Sequence, residues 1–287
     1  GLSQYLDPDN TGTMALDGFD MAAQAELANY PSSFDVSLSQ DQLSTTTLEI
    51  LNVGEEESIL YYSLTVSPFE NIGGGPDADG TLWADSDDEA SIPAEWIDIT
   101  ESGTQYNFPH NDQAGDPMEI GFEFPFYGET YTQCIVNANG WIGFGSDNAE
   151  WDNTNIPSSS APRPAIFPFW DDLNPVNDQC NDYCSGEVYT HSNSERTVIS
   201  FNAVAHWWTN NENSFYSFQV VLYPTGEVQL NYGSITGISS STIGMQNTSG
   251  TVGLQVSFNG NYAHSDLSVK FTKEPAWVSM FPNQGEV

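Results

Sequence analysis

A chain of 287 residues with 40 Asp and Glu against four Lys and Arg, a net charge of −36, presents a surface that repels nucleic acid and anionic membranes. Aromatic residues make up 13% of it, which is too much apolar side chain for a disordered polyanion and enough to bury a core. Such a surface suits high salt, where self-repulsion is screened, and calcium, whose preferred ligands are carboxylates and carbonyls; no apolar run approaches the roughly 18 residues of a membrane-spanning helix.

Residues 1–33 read as an arm or linker, and a start at Gly1 without Met implies a processed or excised fragment. Asp7, Asp9, Thr11 and Gly12 have the alternating oxygens and the glycine of a calcium loop. The residue that would close such a loop is Gly18, with Asp17 and Asp20 out of register, so the segment equally spells an Asp/Gly turn. Met21 to Tyr30 has the Ala, Gln, Glu and Leu content of a short helix that Pro31 ends. Over residues 34–69 the pattern changes to alternation: FDVSLS, TTTLEILNVG and ILYYSLTV predict three antiparallel strands, too few to close a sandwich alone.

Residues 70–105 form an acidic lead-in. Gly73, Gly74 and Gly75 break the strand pattern, and Asp77, Asp79, Asp85, Asp87 and Asp88 crowd around Trp83. Carboxylates at that density repel one another unless a cation or solvent screens them, so the segment is expected either to hold calcium or to be a solvated acidic loop. Residues 106–273 hold the main domain. Its densest stretch, IGFEFPFYGETYTQCIVNANGWIGFG from Ile120 to Gly145, leads through an Asn/Ser/Pro loop to AIFPFW. Then EVYTHS, RTVISFNAVAHWW, FQVVLY, VQLNYG, STIGMQN, VGLQVSFNG and LSVKFT recur at short spacing, with PTGE as the turn of a hairpin. This predicts an all-β antiparallel sandwich or barrel with a short N-terminal helix or arm.

Cys180 and Cys184, four apart in a polar turn-rich segment, are expected to form a small disulfide in an oxidising compartment; a metal site would lack two further ligands. Cys134, within TQCIVNA, reads as a small buried hydrophobe. No HExxH pair, GxSxG elbow or phosphate-cradling loop is present. Asp171 and Asp172 are adjacent, and neighbours on a strand point to opposite faces, so they do not form a glycosidase pair; one reads as a cap, the other as exposed or metal-facing. His206 reads as a packed or edge histidine, and Trp141 and Trp170 as core. Of the adjacent Trp207 and Trp208 one must face outward, which makes them, with Asn210 and Asn211, the candidate ligand-facing loop, since aromatic faces stack on sugar rings. The chain is expected not to be an enzyme.

GFEFPFYGETYTQCIVNANGWIGFGS, NIPSSSAPRPAIFPFWDDLNP, FQVVLYPTGEVQLNYG and STIGMQN, in that order, resemble the nidogen-like extracellular domain, a β-sandwich module of large secreted bacterial proteins that often accompanies subtilisin-like peptidases. GGPDADGTLWADSDDE resembles its lead-in. The flanks, FDVSLSQ with TTTLEILNVGEEESILYYSLTV and then PAWVSMFPNQGEV, are similar to two parts of an immunoglobulin-like, BACON-like repeat. The resemblance implies a large sandwich, 106–273, inserted into a partial Ig-like sandwich split between 34–69 and 274–287. A sheet short of strands exposes unpaired edges; a cut chain, disordered strands and a strand donated by a neighbouring subunit are the alternatives.

The resemblance carries no assigned chemistry. The expected function is a non-catalytic structural or adhesive module of a secreted or cell-surface assembly, with a filament subunit joined by strand donation as its sharpest form. The alternative is an accessory domain that binds carbohydrate or positions substrate for a secreted peptidase. The expected partners are further copies or neighbouring domains, and carbohydrate under the alternative. Calcium is the expected cofactor; neither nucleic acid nor membrane insertion is expected.

Overall fold

The computed structural model describes residues 25–26, 28, 49–55, 58–63, 73–87, 92–145, 149–180, 183–207, 214–237, 240–273 and 284–286, and these contain strands and no helix. The strands are β1 (Tyr61–Ser63), β2 (Thr81–Asp85), β3 (Thr104–Tyr106), β4 (Met118–Phe126), β5 (Glu129–Asn137), β6 (Trp141–Gly143), β7 (Ala165–Trp170), β8 (Leu173–Asn174), β9 (Glu187–Ser192), β10 (Thr197–His206), β11 (Phe215–Leu222), β12 (Val228–Ile235), β13 (Thr242–Gln246), β14 (Gly253–Phe258), β15 (Leu267–Lys273) and β16 (Gln284–Glu286). They divide between two compact units, Ser67–Trp277 and the flanking pair Gly1–Val66 with Val278–Val287.

The larger unit is an antiparallel sandwich. One sheet runs β2-β15-β12-β11-β10-β9-β3, with β8 also paired to β10; the other runs β14-β13-β7-β6-β5-β4. Alternation decides which side chains meet between them. In β10 and β11, Ile199, Phe201, Phe218, Val220 and Leu222 enter the main core, whereas Val198 and Val221 join a separate cluster on the other face. From the opposite sheet, Phe169 of β7 packs on Tyr216 at 4.4 Å and on Phe218 at 5.5 Å between ring centroids, and Phe218 stacks on Phe201 at 4.4 Å. Tyr232 of β12 donates its hydroxyl across the core to the Pro168 carbonyl at 2.7 Å.

Each outer face is also covered. On the smaller sheet, Trp141, Phe167 and Trp170 lie under the loop that contributes Ile156 and Ala161, and both indole N–H groups donate to the Glu150 carbonyl, at 3.1 and 3.3 Å. On the larger sheet, Ser200, Gln219, Asn231 and Ser268 stand in register across β10, β11, β12 and β15, all buried. The acidic lead-in lies over this row. Ile97 N–H donates to Gln219 Oε1 at 3.1 Å, Gln219 Nε2 donates to the Ile97 carbonyl at 2.7 Å, and Glu95 N–H donates to Ser268 Oγ at 2.9 Å. Most buried polar groups in folded proteins are bonded in this way. Earlier in the lead-in, β2 joins the sheet beside β15, and a Cβ on Gly73 would come within 2.1 Å of the Trp83 ring.

In the smaller unit, β1 pairs antiparallel with β16, Tyr61 opposite Glu286 and Ser63 opposite Gln284. The short helix expected over Met21 to Tyr30 is not what its described residues form. Ala28 N–H donates to the Leu51 carbonyl at 2.9 Å and Val53 N–H to the Glu26 carbonyl at 2.8 Å, so residues 26 and 28 pair with a distant segment. A helix this short is marginal on propensity alone, and pairing with another segment satisfies the same backbone groups. FDVSLS lies outside the described residues, and of TTTLEILNVG only Glu49 onward is described, with one bridge residue at Asn52.

Phe218 touches aromatic rings from both sheets, so Phe218→Ala is expected to cost about 3–5 kcal/mol. The measure is the urea midpoint at unchanged slope, with the half-exposed Trp151→Ala as control, which should stay within about 0.5 kcal/mol. Equal shifts for the two would remove Phe218 from its central position.

Candidate functional site

Polar groups from several loops converge at one end of the sandwich, where the apolar strand β7 stops at Asp171 and Asp172. The turn after β5 sets the position. Gly140 has φ of 74°, and a Cβ there would come within 2.2 Å of the Phe169 carbonyl, so the turn closes onto β7 only with glycine. Asn139 then receives Leu173 N–H on its Oδ1 at 2.9 Å and Asp171 N–H on its carbonyl at 3.2 Å. Asp171 is buried. Its Oδ2 accepts the Ser240 hydroxyl at 2.7 Å, and its Oδ1 accepts Asp172 N–H at 2.9 Å and faces His206 Nε2 at 3.5 Å. His206 Nδ1–H donates to the Trp207 carbonyl, and the ring stands edge-on to Tyr216. Asp112 accepts from the side-chain amides of Asn111 at 3.0 Å and Asn139 at 3.4 Å.

The electrostatics follow from this placement. Burial, then the negative charge of Asp112, push the Asp172 carboxyl up to about 7; Asp171 and Asp152 add to the shift and His206 opposes it. For His206, burial disfavours the imidazolium, but the hydrogen bond and charge of Asp171, the Trp207 carbonyl and Asp172 outweigh it, and its pKa is raised. The result is a half-buried carboxyl that changes between hydrogen-bond donor and acceptor near neutral pH, beside an imidazole. Such a group can bind hydroxyls or exchange a proton. Ser240 bonds Asp171 rather than His206, so the arrangement is not that of a base-activated serine.

The carboxylates of the lead-in are met one by one. Asp77 Oδ1 accepts the N–H groups of Asp79 and Thr81 at 2.9 and 3.0 Å, and its Oδ2 accepts the Tyr127 hydroxyl at 2.9 Å. Asp79 pairs with Lys273 at 2.6 Å, Asp85 accepts the Tyr262 hydroxyl, and Asp87 faces His264 at 3.2 Å. Burial first, then the neighbouring acid, raise both phenols well above the ordinary tyrosine value, so they remain donors. Among the described residues no group of three or more His, Cys, Asp or Glu is placed to hold a metal ion. Asp88, Asp7, Asp9 and Thr11 lie outside the described residues.

Trp207 is half-buried, and its backbone N–H donates to the Asp172 carbonyl at 2.7 Å, which ties Trp207 to the site; Trp208, Asn210 and Asn211 lie outside the described residues. Cys180 and Cys184 are disulfide-bonded with Cα atoms 5.7 Å apart. Cys134 is buried, and burial pushes its thiol up to about 12. Sequence reasoning missed the joining of Asp112, Asn139 and Ser240 to Asp171 and Asp172. The one local signal was two carboxylates directly after a wholly apolar strand.

A family model described as NIDO related matches residues 90–287, more than half of the chain. No curated protein and no solved structure matches it.

Asp172 binds its proton more tightly folded, at about 7, than unfolded, near 4. Its contribution to stability is therefore full below about pH 4 and lost as pH rises through about 7. His206, also raised, acts in the same direction. Asp172→Asn is expected to flatten the decline in thermal midpoint between pH 4 and 8 and to raise the midpoint at pH 8. A profile superimposable on that of the parent would contradict the assignment.

Proposed function

Because the chain belongs to the NIDO-related family, we propose that it is a non-catalytic structural module of an extracellular or cell-surface assembly. Family membership supports a nidogen-like module in an extracellular setting. The Cys180–Cys184 disulfide fits an oxidising compartment. No helix among the described residues is long and apolar enough to cross a membrane.

The observation that carries the assembly reading is the pairing of β1 with β16, strands that bracket the whole sandwich in sequence. This pairing supports a sandwich inserted into an Ig-like domain. A two-stranded ribbon is marginal in water by itself, and Leu51, Val53 and Ile59 in the same unit are exposed. A strand from a neighbouring copy would extend the ribbon and cover apolar side chains, joining subunits by main-chain hydrogen bonds. Native mass and particle images of the secreted protein are expected to show polymers. A monodisperse monomer at high protein concentration would rule strand exchange out.

The backbone hydrogen bond between Trp207 and Asp172, which brings the two residues together, favours a second reading, a carbohydrate-binding accessory module of a secreted peptidase. Sugar hydroxyls can bond a carboxyl that both donates and accepts, and an indole on the adjoining residue offers a stacking face. Glycan-array binding that falls at least about tenfold, roughly 1.4 kcal/mol, in both Trp207→Ala and Asp172→Asn is the expected result. Parent protein that binds no glycan would discard this reading.

A further inference from the structure

We propose that Asn247 is an acceptor for N-linked glycan. The chain contains a single Asn-X-Ser/Thr triplet, Asn247-Thr248-Ser249. It forms the turn between β13 and β14, the hairpin at one edge of the smaller sheet. Thr248 and Ser249 are exposed and Asn247 is partly so.

The two ends of the Asn247 amide have separate tasks. Oδ1 accepts the Ser249 hydroxyl at 3.0 Å, Thr251 N–H at 3.2 Å and Val252 N–H at 3.3 Å. The backbone closes the same turn, with Asn247 N–H donating to the Val252 carbonyl at 2.9 Å and Gly250 N–H to the Asn247 carbonyl at 3.1 Å. Nδ2 donates to no group among the described residues and is not sealed from solvent. A substituent on Nδ2 therefore leaves every bond that holds the turn in place. By contrast, Asn137, Asn139 and Asn231 are completely buried and would not admit one.

The donor is a glycan carried on a polyprenyl phosphate or pyrophosphate. Nδ2 attacks the anomeric carbon, the N–C bond forms as the bond from that carbon to the phosphate oxygen breaks, the lipid phosphate leaves with the electron pair, and a base of the transferase takes the amide proton. A glycan here stands beside β14, the edge strand of its sheet among the described residues, and blocks sideways pairing with other chains. The inference rests on the extracellular reading, because the chain must reach the compartment that holds the donor.

The test is peptide mass mapping of the protein from its native host, before and after enzymatic release of N-glycans. Hexose-type mass additions on the Asn247 peptide are expected, lost in Ser249→Ala and retained in Ser249→Thr. Ser249→Ala keeps the bonds from Thr251 and Val252 to Asn247, so its loss of glycan is not a loss of fold. Secreted protein with a closed Cys180–Cys184 disulfide and unmodified Asn247 overturns the glycan while the extracellular reading stands. Cytosolic protein with unmodified Asn247 and free thiols at Cys180 and Cys184 overturns both.

Discussion

The packing of Phe169 against Tyr216 and Phe218 fixes how the two sheets face each other. These rings come from β7 and β11, strands at the middle of their respective sheets, and Phe201 extends the stack along the larger one. Aromatic pairs bury large areas and are specific about geometry, so the stack sets both the spacing and the relative position of the layers. The Tyr232 hydroxyl bonded to Pro168 adds a directional tie through the same region. Asp171 and Asp172 follow directly from the end of β7, so the position of the carboxyl site depends on this packing.

Charge imbalance shapes the rest. With four Lys and Arg in the chain, most of its 40 acids cannot have a cationic partner. Lys270 and Lys273 pair with Glu227 and Asp79. Elsewhere hydroxyls and an imidazole take the place of missing Lys and Arg: Tyr127 for Asp77, Tyr262 for Asp85, Ser240 for Asp171 and His264 for Asp87. The hydroxyl donors satisfy lone pairs without cancelling charge, so the field at Asp77 and Asp85 remains negative. The upward shift at Asp172 belongs to this setting: a half-buried carboxyl among Asp112, Asp171 and Asp152 holds its proton.

The sandwich is scaffold, and its loops carry what is specific to this chain. One covering segment lies on each outer face: the lead-in over the polar row of the larger sheet, and the segment around Ile156 over Trp141 and Trp170 of the smaller one. Covering both faces leaves chemistry to the ends and edges. Trp207 and Asp172 share one end, and Asn247 stands at the β13–β14 edge. The indoles of Trp141 and Trp170 are structural, since both N–H groups end on the Glu150 carbonyl.

Strands and hairpins were legible in the sequence because alternation is local, with a period of two residues, and the core status of Trp141 and Trp170 because both stand in apolar runs. The PTGE hairpin was legible for the same reason: Tyr223, Gly226 and Glu227 close the turn among themselves. The partner of each carboxylate was not legible. Asp85 and Tyr262 are 177 residues apart, and Asp77 and Tyr127 are 50 apart. The sequence shows five aspartates close together and repelling; only sheet order, which sets β2 beside β15 and the 127–128 turn over Asp77, decides that separate donors meet the four described ones, Asp77, Asp79, Asp85 and Asp87. Residues 26 and 28 teach the same thing in reverse, where helix propensity, a weak local term, yields to pairing with a distant segment. What the sequence determined by itself was therefore the class of fold and the sign of the surface. Which carboxyl titrates toward neutral pH, and which side chains share a site, follow from distances that only the packed sheets set.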